Sequence, residues 1–364
     1  MKRIVFTVTN DLNYDQRMIR ICTSLAEAGY DVILIGRKTG TSTLLTQKKY
    51  RQKRLLTFFN KGFIFYAEFN IRLFFYLLFR KADMFCCIDL DTMLPVYLAG
   101  KLKNTKMVYD AHEYFSQQKE IITRPTVHLI WKWIESTFVP KFKNGYTVSL
   151  SIAAEFRKVY GVEYEVIQNV PGLKALVPGL QKREKIILYQ GAVNEARGLE
   201  FLIPAMKEID AKLHIYGDGN FIEQTKTLIA LNILQEKVFL KGKVLPEQLD
   251  TIAQLAYMGI NLVEHTGLNQ YYSLANKFFD YIQNGLPQVS MAYPEYKRIN
   301  DEFEVALLID DLQSVSISNT INKLLNEENL YERLQKNCLV ARQVFNWQNE
   351  EKKLIAFYNN ISLF

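Results

Sequence analysis

Short apolar runs alternate with amphipathic stretches along the first half of the chain. Residues 4–8 form an apolar run typical of a buried strand, and residues 16–28 have the apolar spacing of a helix that ends at Gly29. The apolar runs that follow predict further strands at 32–35, 84–88 and 107–109. Strands that alternate with helices in this way indicate a parallel sheet covered by helices on both faces.

The same pattern begins again in the second half of the chain. Residues 164–167 predict a strand, residues 169–172 break it, and the polar stretch 173–185 is typical of a linker. Strands are then predicted at 186–189, 212–216, 238–240, 258–263 and 288–291, and amphipathic helices at 314–344 and 347–357. We therefore predict two doubly wound α/β domains, 1–170 and 171–346, with the terminal helix, 347–364, as a candidate to pack back onto the first domain.

Composition narrows the class of protein only a little. A chain of 364 residues, nearly half of them apolar, is about the right size for two globular domains. The net charge of +7 suits a protein that works near phosphate groups, whether of nucleotides, lipid headgroups or nucleic acid. Four cysteines without metal-ligand spacing are too few for a disulfide framework, so a cytoplasmic protein is expected.

The aromatic segment 63–79 is apolar, but Glu68 and Arg72 interrupt it, which argues against a transmembrane helix. Two interpretations remain open. The segment is a core helix with one solvent-exposed edge, or it faces a membrane. The second interpretation rests on the many basic residues in the region 50–81. These residues are Arg51, Lys53, Arg54, Lys61, Arg72, Arg80 and Lys81.

Ligands of open parallel sheets bind beyond the carboxyl ends of the strands, so the residues that follow each predicted strand are the candidates for a site. Asn10 follows the first strand, and Asp110, His112 and Glu113 follow the strand at 107–109. A histidine in this position can hold a sugar hydroxyl or donate to a developing negative charge. The alternative is that His112 is only a structural hydrogen-bonding residue of the loop.

Residues 190–198 follow another strand and open a helix. Small residues such as Gly191 let backbone amides approach an anion, the helix N-terminus favours negative charge, and Arg197 can grip a diphosphate. A glycine turn with a surface arginine is the alternative. Gly217 and Gly219 follow the next strand in the same way.

A third candidate, residues 273–281, is predicted to begin a helix that is capped by Ser273. Lys277 then lies in the first turns, and Asp280 lies on a similar face three residues later. Such a pair can hold a diphosphate and a ribose hydroxyl together. An ordinary surface ion pair would look the same in the sequence.

Other motifs argue against several classes of enzyme. No P-loop signature is present, and no Gly-x-Gly-x-x-Gly follows the first strand, which argues against P-loop NTPases and dinucleotide dehydrogenases. Asp89 and Asp91 have the spacing of a metal-binding Asp-x-Asp pair. We favour instead that Asp91 and Thr92 cap the next helix, and we predict no metal site.

Together these motifs resemble the GT-B glycosyltransferases, and among them family 4 enzymes of bacterial surface-polysaccharide pathways. The resemblance runs from end to end, through residues 10–17, 109–115, 166–169, 188–198, 214–219, 276–287 and 346–347. It implies two Rossmann-like domains that face a cleft, the first binding the acceptor and the second a nucleotide sugar. It also implies transfer with retention of anomeric configuration and without a metal.

Residue roles follow from the resemblance by position. It implies that Arg197 and Lys277 hold the donor diphosphate, that Asp280 binds the ribose, and that His112 acts near the reacting sugar. Leu274 and Ala275 would offer backbone amides to the phosphates. The other residues expected in the donor pocket are Asn10, Gly191, Gly217, Gly219 and Asn276.

The chain departs from the family pattern at three places. Tyr272 stands where the family has the first glutamate of its Glu-x7-Glu motif, Ala192 replaces a usual arginine, and Asn10 with Asp11 replaces a common glycine pair. A non-catalytic nucleotide-sugar-binding protein and a sugar-nucleotide epimerase of the same fold are therefore the alternatives to a transferase.

The resemblance also indicates the partners. We expect a UDP- or GDP-linked sugar as donor substrate, with no separate cofactor, and a glycan or lipid-linked acceptor. The region 50–81 is a candidate for peripheral contact with the inner face of the plasma membrane, and no nucleic-acid partner is expected.

Overall fold

The computed structural model describes residues 1–13, 15–40, 42–173, 175–176 and 185–363. The chain forms two compact units. Unit 1 comprises Met1–Gln168 and the segment that begins at Glu350, and unit 2 comprises Asn169–Asn349. Most of the predicted linker, residues 174 and 177–184, lies outside the described part.

Unit 1 is an α/β unit built on a parallel seven-stranded sheet in the order β3-β2-β1-β4-β5-β6-β7. Its strands are β1 (Arg3–Thr7), β2 (Asp31–Lys38), β3 (Arg51–Leu56), β4 (Met84–Ile88), β5 (Lys106–Ala111), β6 (Asn144–Thr147) and β7 (Glu165–Val166). Its helices are α1 (Gln16–Glu27), α2 (Gly62–Leu78), α3 (Met93–Lys103), α4 (Lys119–Ile122), α5 (Pro125–Phe138) and α6 (Leu150–Tyr160).

The central strands of this sheet are largely apolar, as is typical of parallel strands that are buried on both faces. Every residue of β4 is buried, and β1 pairs with β2 on one side and with β4 on the other. Strand β3 is different, since four polar residues begin it and it lies at the edge of the sheet. Charged residues are typical of edge strands, and this strand was missed from the sequence because it has no apolar run.

Unit 2 repeats the design with a parallel six-stranded sheet in the order β10-β9-β8-β11-β12-β13. Its strands are β8 (Ile186–Gln190), β9 (Lys212–Tyr216), β10 (Val238–Gly242), β11 (Met258–Asn261), β12 (Gln288–Met291) and β13 (Ala306–Ile309). Its helices are α7 (Leu199–Ala205), α8 (Ile222–Leu231), α9 (Pro246–Leu255), α10 (Leu268–Tyr272), α11 (Asn276–Gln283), α12 (Pro294–Phe303), α13 (Ser314–Asn326) and α14 (Glu328–Ala341).

Both sheets have the reversal of strand order at which open α/β sheets bind ligands: β1 neighbours β4 in unit 1, and β8 neighbours β11 in unit 2. The prediction of two Rossmann-like parallel-sheet domains is thereby confirmed.

The last helix, α15 (Trp347–Leu363), returns to unit 1. The ring of Tyr358 lies 5.9 Å from that of Phe6, and the ring of Phe357 lies 5.1 Å from that of Tyr146. The backbone N–H of Gln168 donates to Glu350. Aromatic burial therefore attaches the end of the chain to the first sheet.

Candidate functional site

A buried ion pair stands at the carboxyl end of β5 in unit 1. Arg17 on α1 donates to both carboxylate oxygens of Asp110, at 2.8 and 3.3 Å, and neither side chain is more than 2% exposed. From the sequence, Arg17 was recognised only as the last residue of the motif 10–17, and no role was predicted for it. A two-pronged buried contact of this kind holds the strand end rigidly, and it sets the electrostatic environment of the next residues.

His112 follows that strand end and is partly exposed. Its Nδ1 lies 3.9 Å from a carboxylate oxygen of Asp89. Burial and the positive charge of Arg17 lower the pKa of His112, although Glu113 and Asp110 oppose the shift. His112 is therefore neutral at physiological pH, a form that can both donate and accept a hydrogen bond.

Asp91 and Thr92 do not form the helix cap that the sequence predicted. Helix α3 begins after Thr92, which makes no side-chain capping bond, and its hydroxyl donates to the carbonyl of Thr7 instead. The carboxylate of Asp91 accepts from the hydroxyl of Thr9. The capping prediction is wrong because Thr7 and Thr9, at and just after the end of β1, take up both side chains.

These carboxylates share a crowded, buried environment. Burial raises the pKa of Asp91 to about 6, and burial together with the charges of Glu113, Asp91 and Asp110 raises that of Asp89 well above its usual value. Asp89 also has a left-handed backbone with φ of 52°. Within the described residues, no group of three His, Cys, Asp or Glu side chains is arranged to hold a metal.

Asn10 lies in unit 1, exposed at the end of β1, and its side chain donates to Asp15. Asp15 in turn caps α1 by accepting from the backbone N–H of Met18. The other residues predicted for the donor pocket lie in unit 2, so the structure places Asn10 in a different unit from them.

In unit 2 the loops after β8 and β9 pack directly on each other. The backbone N–H of Gly191 donates to Tyr216, and that of Val193 donates to Asp218. A Cβ added at Gly217 would lie 1.8 Å from the carbonyl oxygen of Gly191, and one at Gly219 would lie 2.2 Å from that of Val193. The two predicted glycines are thus required by backbone contact between the loops.

Replacing Gly217 with alanine is expected to disrupt this loop contact. The residue has φ of +149°, and a methyl group would overlap the Gly191 carbonyl, so the loop must move. If these loops hold the expected UDP or GDP moiety, its binding should weaken at least tenfold by calorimetry, and the unfolding temperature should fall. Gly242→Ala is the matched control, since it also has positive φ but open space around its Cβ position. Equal losses of binding in both variants would contradict the argument.

Lys277 and Arg197 lie together in unit 2. The Nζ of Lys277 lies 3.7 Å from the ring centre of Tyr189, and its Cε would be 3.6 Å from a Cβ added at Gly191. Burial and the positive charge of Arg197 lower the pKa of Lys277 well below its usual value. Two cations beside a glycine loop are an arrangement that suits an anion, as the sequence predicts for this pair. Tyr189 was not predicted, although its place near the end of β8 could have suggested it.

If the expected UDP or GDP diphosphate binds beside Lys277, the lowered pKa of this lysine predicts that binding takes up a proton. The negative diphosphate would favour the charged amine, so between the free and bound pKa values the bound protein holds more protons. Affinity is therefore expected to fall as pH rises through that window. Calorimetry in buffers of different ionisation enthalpy measures the uptake. It should vanish in Lys277→Met, and unchanged uptake in that variant would contradict the assignment.

Helix α11 starts later than predicted, at Asn276, and its cap is Ala275 without a side-chain bond. The prediction that Ser273 caps it is wrong, since the Ser273 hydroxyl donates to the carbonyl of Gln270. The chain is extended from Ser273 to Ala275, which places Lys277 in the first turn of α11.

The backbone amide of Ala275 has a protein partner. It donates to the hydroxyl of Tyr296 at 3.0 Å. A phosphate would have to displace Tyr296 to receive that bond, so the predicted use of this amide competes with a contact made in the fold. Leu274, the other predicted amide donor, has a buried side chain that belongs to the core of unit 2.

Two further predicted side chains are held by partners on neighbouring loops. Asp280 accepts from the side chain of Gln190 at 2.9 Å, and Asn276 accepts from that of Asn169 at 2.9 Å. Gln190 ends β8 and so joins the β8 loop to α11. The candidate donor-site residues from 190 to 280, which are distant in sequence, thus share one edge of the second sheet.

The region 50–81 forms β3 and α2 of unit 1. Among the described residues, no helix has the length and apolar character required to cross a membrane. Helix α2 nevertheless exposes large apolar side chains, with Phe63 at 73% and Ile71 at 58% exposure. Lys53, Lys61, Arg80 and Lys81 are also exposed, whereas Arg51 pairs with Asp31 and Arg54 with Asp11.

Two family models match the chain, one in each half. The model described as Glycosyltransferase Family 4 matches residues 16–171, and the model described as Glycosyl transferases group 1 matches residues 177–339. Together they span nearly all of the chain. A search of curated protein sequences returned no match.

Solved structures share the whole fold at low sequence identity. A sucrose-phosphate synthase from Thermosynechococcus elongatus is 17% identical with a TM-score of 0.85, and each chain is covered completely. HepE from Anabaena, solved in complex with UDP-glucose, is 13% identical with a TM-score of 0.79, again with complete coverage. WaaG, a glycosyltransferase involved in lipopolysaccharide biosynthesis, is 14% identical with a TM-score of 0.75, covering 97% of this chain and 98% of its own.

Proposed function

The chain belongs to the GT-B glycosyltransferases of the family 4 type, and on that premise we propose that it moves a sugar from a UDP- or GDP-linked donor to a glycan or lipid-linked acceptor. The observation that carries the proposal is the pair of cations at the glycine loops of unit 2. Lys277 and Arg197 are close enough for one charge to lower the pKa of the other. HepE, a relative in fold, was solved with UDP-glucose.

The two cations would serve the leaving group. Breaking the bond between the sugar and the nucleotide leaves an extra negative charge on the diphosphate, and fixed positive groups stabilise that charge most when they need not reorganise. Lys277 is already held over Tyr189 in the free protein. Burial of the charged Lys277 amine is unfavourable without a ligand. A bound diphosphate would offset this cost because its negative charge pairs with the amine. In this proposal Lys277 and Arg197 take the role that a metal ion has in other glycosyltransferases.

His112 would act on the acceptor side. Because its neutral form is favoured, it can hold a hydroxyl of the donor sugar or of the acceptor without adding a charge. We propose transfer with retention of anomeric configuration, in which the acceptor attacks from the face that the diphosphate leaves. Exclusion of water when both substrates are bound would limit hydrolysis of the donor.

A screen of nucleotide sugars by thermal shift tests the donor assignment. A ligand that binds the native state raises the unfolding temperature by mass action, so the preferred UDP- or GDP-sugar should give the largest shift. The shift should be lost in Lys277→Met and retained in Lys241→Met, an exposed lysine of the same unit. No shift with any nucleotide or nucleotide sugar would overturn the proposal.

Tyr272, in place of the family's first glutamate, favours one alternative, a protein that binds nucleotide sugars without turnover. An epimerase of the same fold would convert the donor without any acceptor. Release of UDP or GDP measured with and without acceptor separates the three. Acceptor-dependent release supports a transferase, acceptor-independent formation of an altered sugar supports an epimerase, and binding without release supports the non-catalytic protein.

We propose in addition that the region 50–81 contacts the inner face of the plasma membrane. Exposed lysine and arginine beside exposed phenylalanine are the composition that anionic bilayers attract. Co-sedimentation with anionic vesicles should weaken when Lys53, Lys61, Arg80 and Lys81 are replaced by glutamine. Binding that is unaffected by these changes would argue against the contact.

A further inference from the structure

A groove of about 790 Å³ runs through unit 1 between α2, α3 and α5. Its walls are mainly apolar, with Phe74 from α2, Leu94 and Leu98 from α3, and Ile130 and Trp131 from α5. The ring of Trp131 packs against Tyr66 at 5.3 Å and against Phe115 at 4.8 Å. The volume is in the range of small-molecule sites, and the lining suits a hydrocarbon better than a sugar.

Part of the groove lining is linked by hydrogen bonds to the residues around His112, which does not itself line the groove. Asp91 and Gln118 belong to this part of the lining, which we call the inner end. The Gln118 side chain donates to the carboxylate of Glu113, the residue next to His112. The backbone N–H of Glu113 donates to Asp89, whose other oxygen lies near His112. One end of a ligand in the groove would therefore lie close to the side chains around His112, namely those of Asp89, Asp91, Glu113 and Gln118.

The outer end of the groove continues onto the exposed face of α2. Ile71 and Phe75 line both this groove and a second depression of about 660 Å³, which also contains Leu56, Phe79 and two arginines, Arg72 and Arg80. Phe75 is 53% exposed and Phe79 is 81% exposed. One apolar surface thus leads from the neighbourhood of His112 to a basic rim.

The charge of this rim indicates which apolar ligand fits. Of the seven lysines and arginines in residues 50–81, Arg51, Arg54 and Arg72 have carboxylate partners, and the other four, Lys53, Lys61, Arg80 and Lys81, are exposed. The groove and the exposed phenylalanines form one contiguous apolar surface, and such surfaces are typical of interaction sites. A basic rim around it is complementary to anionic lipid and would repel a basic amphipathic partner.

We propose that the groove holds the hydrocarbon chain of a lipid-linked acceptor, drawn from an anionic membrane. The inference rests on the proposed function and narrows its acceptor to a lipid. The chain lies along Phe74, Leu98 and Trp131, and the headgroup with the accepting hydroxyl lies at the inner end beside His112. The exposed end at Phe75 and Phe79 faces the bilayer.

Alkyl phosphates test the groove without any nucleotide or turnover. Octyl and dodecyl phosphate, kept below micelle formation, are titrated while Trp131 fluorescence is followed, with Trp131→Phe to assign the signal and inorganic phosphate as the chain-free control. Each added methylene should tighten binding roughly fourfold while the chain stays in the groove. Binding that is indifferent to chain length would overturn the proposal.

Neighbouring side chains on α5 provide a matched pair of variants. Ile130 lines the groove and is 48% exposed, whereas Leu129 is 69% exposed and is not among the lining residues. Ile130→Asn should weaken dodecyl phosphate binding at least tenfold, and Leu129→Asn should leave it unchanged. Ala67→Trp, which fills the groove from α2, should act like Ile130→Asn. Equal effects of the two α5 variants, or full binding by Ala67→Trp, would count against the assignment.

The remaining outcomes separate this inference from the proposed function. If alkyl phosphate binding does not depend on chain length while UDP binding is intact, the lipid groove is refuted and a soluble glycan remains as the acceptor. If the protein binds the alkyl phosphates in a chain-length-dependent way but binds no nucleotide, the transferase proposal is refuted and the lipid site is retained. A dimer in sedimentation that Ile130→Asn dissolves would assign the groove to a second copy of the chain and overturn the proposal.

Discussion

Replacing Lys277 with methionine is expected to lower kcat about 10²–10³-fold, the loss typical of removing one fixed group that stabilises charge in the transition state. Methionine keeps most of the apolar stem but cannot neutralise the diphosphate. The unfolding temperature should stay the same or rise, because burial and Arg197 already disfavour the charged amine in the free protein. Steady-state kinetics and thermal unfolding of the same preparations measure both effects.

A lysine elsewhere in unit 2 provides the control for this change. Lys241 also lies over an aromatic ring, with its Nζ 5.2 Å from the centre of Phe239, but it is exposed on β10. Lys241→Met should change neither kcat nor the unfolding temperature appreciably. A fall in activity that is matched by a fall in stability of Lys277→Met would assign the lysine a structural role instead.

The second large effect is expected at His112. Replacement by alanine should reduce kcat at least 10²-fold, the usual range for one group that donates or accepts in the transition state. The KM for the donor should change little, since Arg197 and Lys277, the cations proposed to hold the diphosphate, lie in the other unit. A variant that raised KM while leaving kcat intact would place His112 in substrate binding alone.

The pH profile offers an independent test of the same residue. The pKa of His112 lies below its usual value because of burial and Arg17, so the wild type should keep its activity at mildly acidic pH, where an ordinary histidine is already protonated. Below that, protonation should produce an acid limb in kcat, which His112→Gln should abolish. His128→Gln is the control, since this second histidine of unit 1 lies on α5, away from the strand end. An acid limb that persists in His112→Gln would have to come from another group.

The candidate site was partly predictable because each strand end could be located from its apolar run. Residues just beyond those runs, such as His112 and Gly217, are at the carboxyl edge of a sheet whatever their partners. The capping predictions at Thr92 and Ser273 failed for a physical reason. A hydroxyl near a helix start has several acceptors within reach, and the backbone path chosen by the fold decided which one it meets.

Local pattern therefore determined most of the elements, their alternation and the two parallel sheets, but not the polar edge strand β3, because burial of strands and amphipathic helices depends on residues a few positions apart. Only the tertiary structure decided the partners. The order of the strands places Lys277 over the ring of Tyr189 and pairs Arg17 with Asp110. It also places the Ala275 amide where it donates to the hydroxyl of Tyr296. The groove between α2, α3 and α5 likewise exists only once those helices pack, since each contributes one wall and none encodes the space between them.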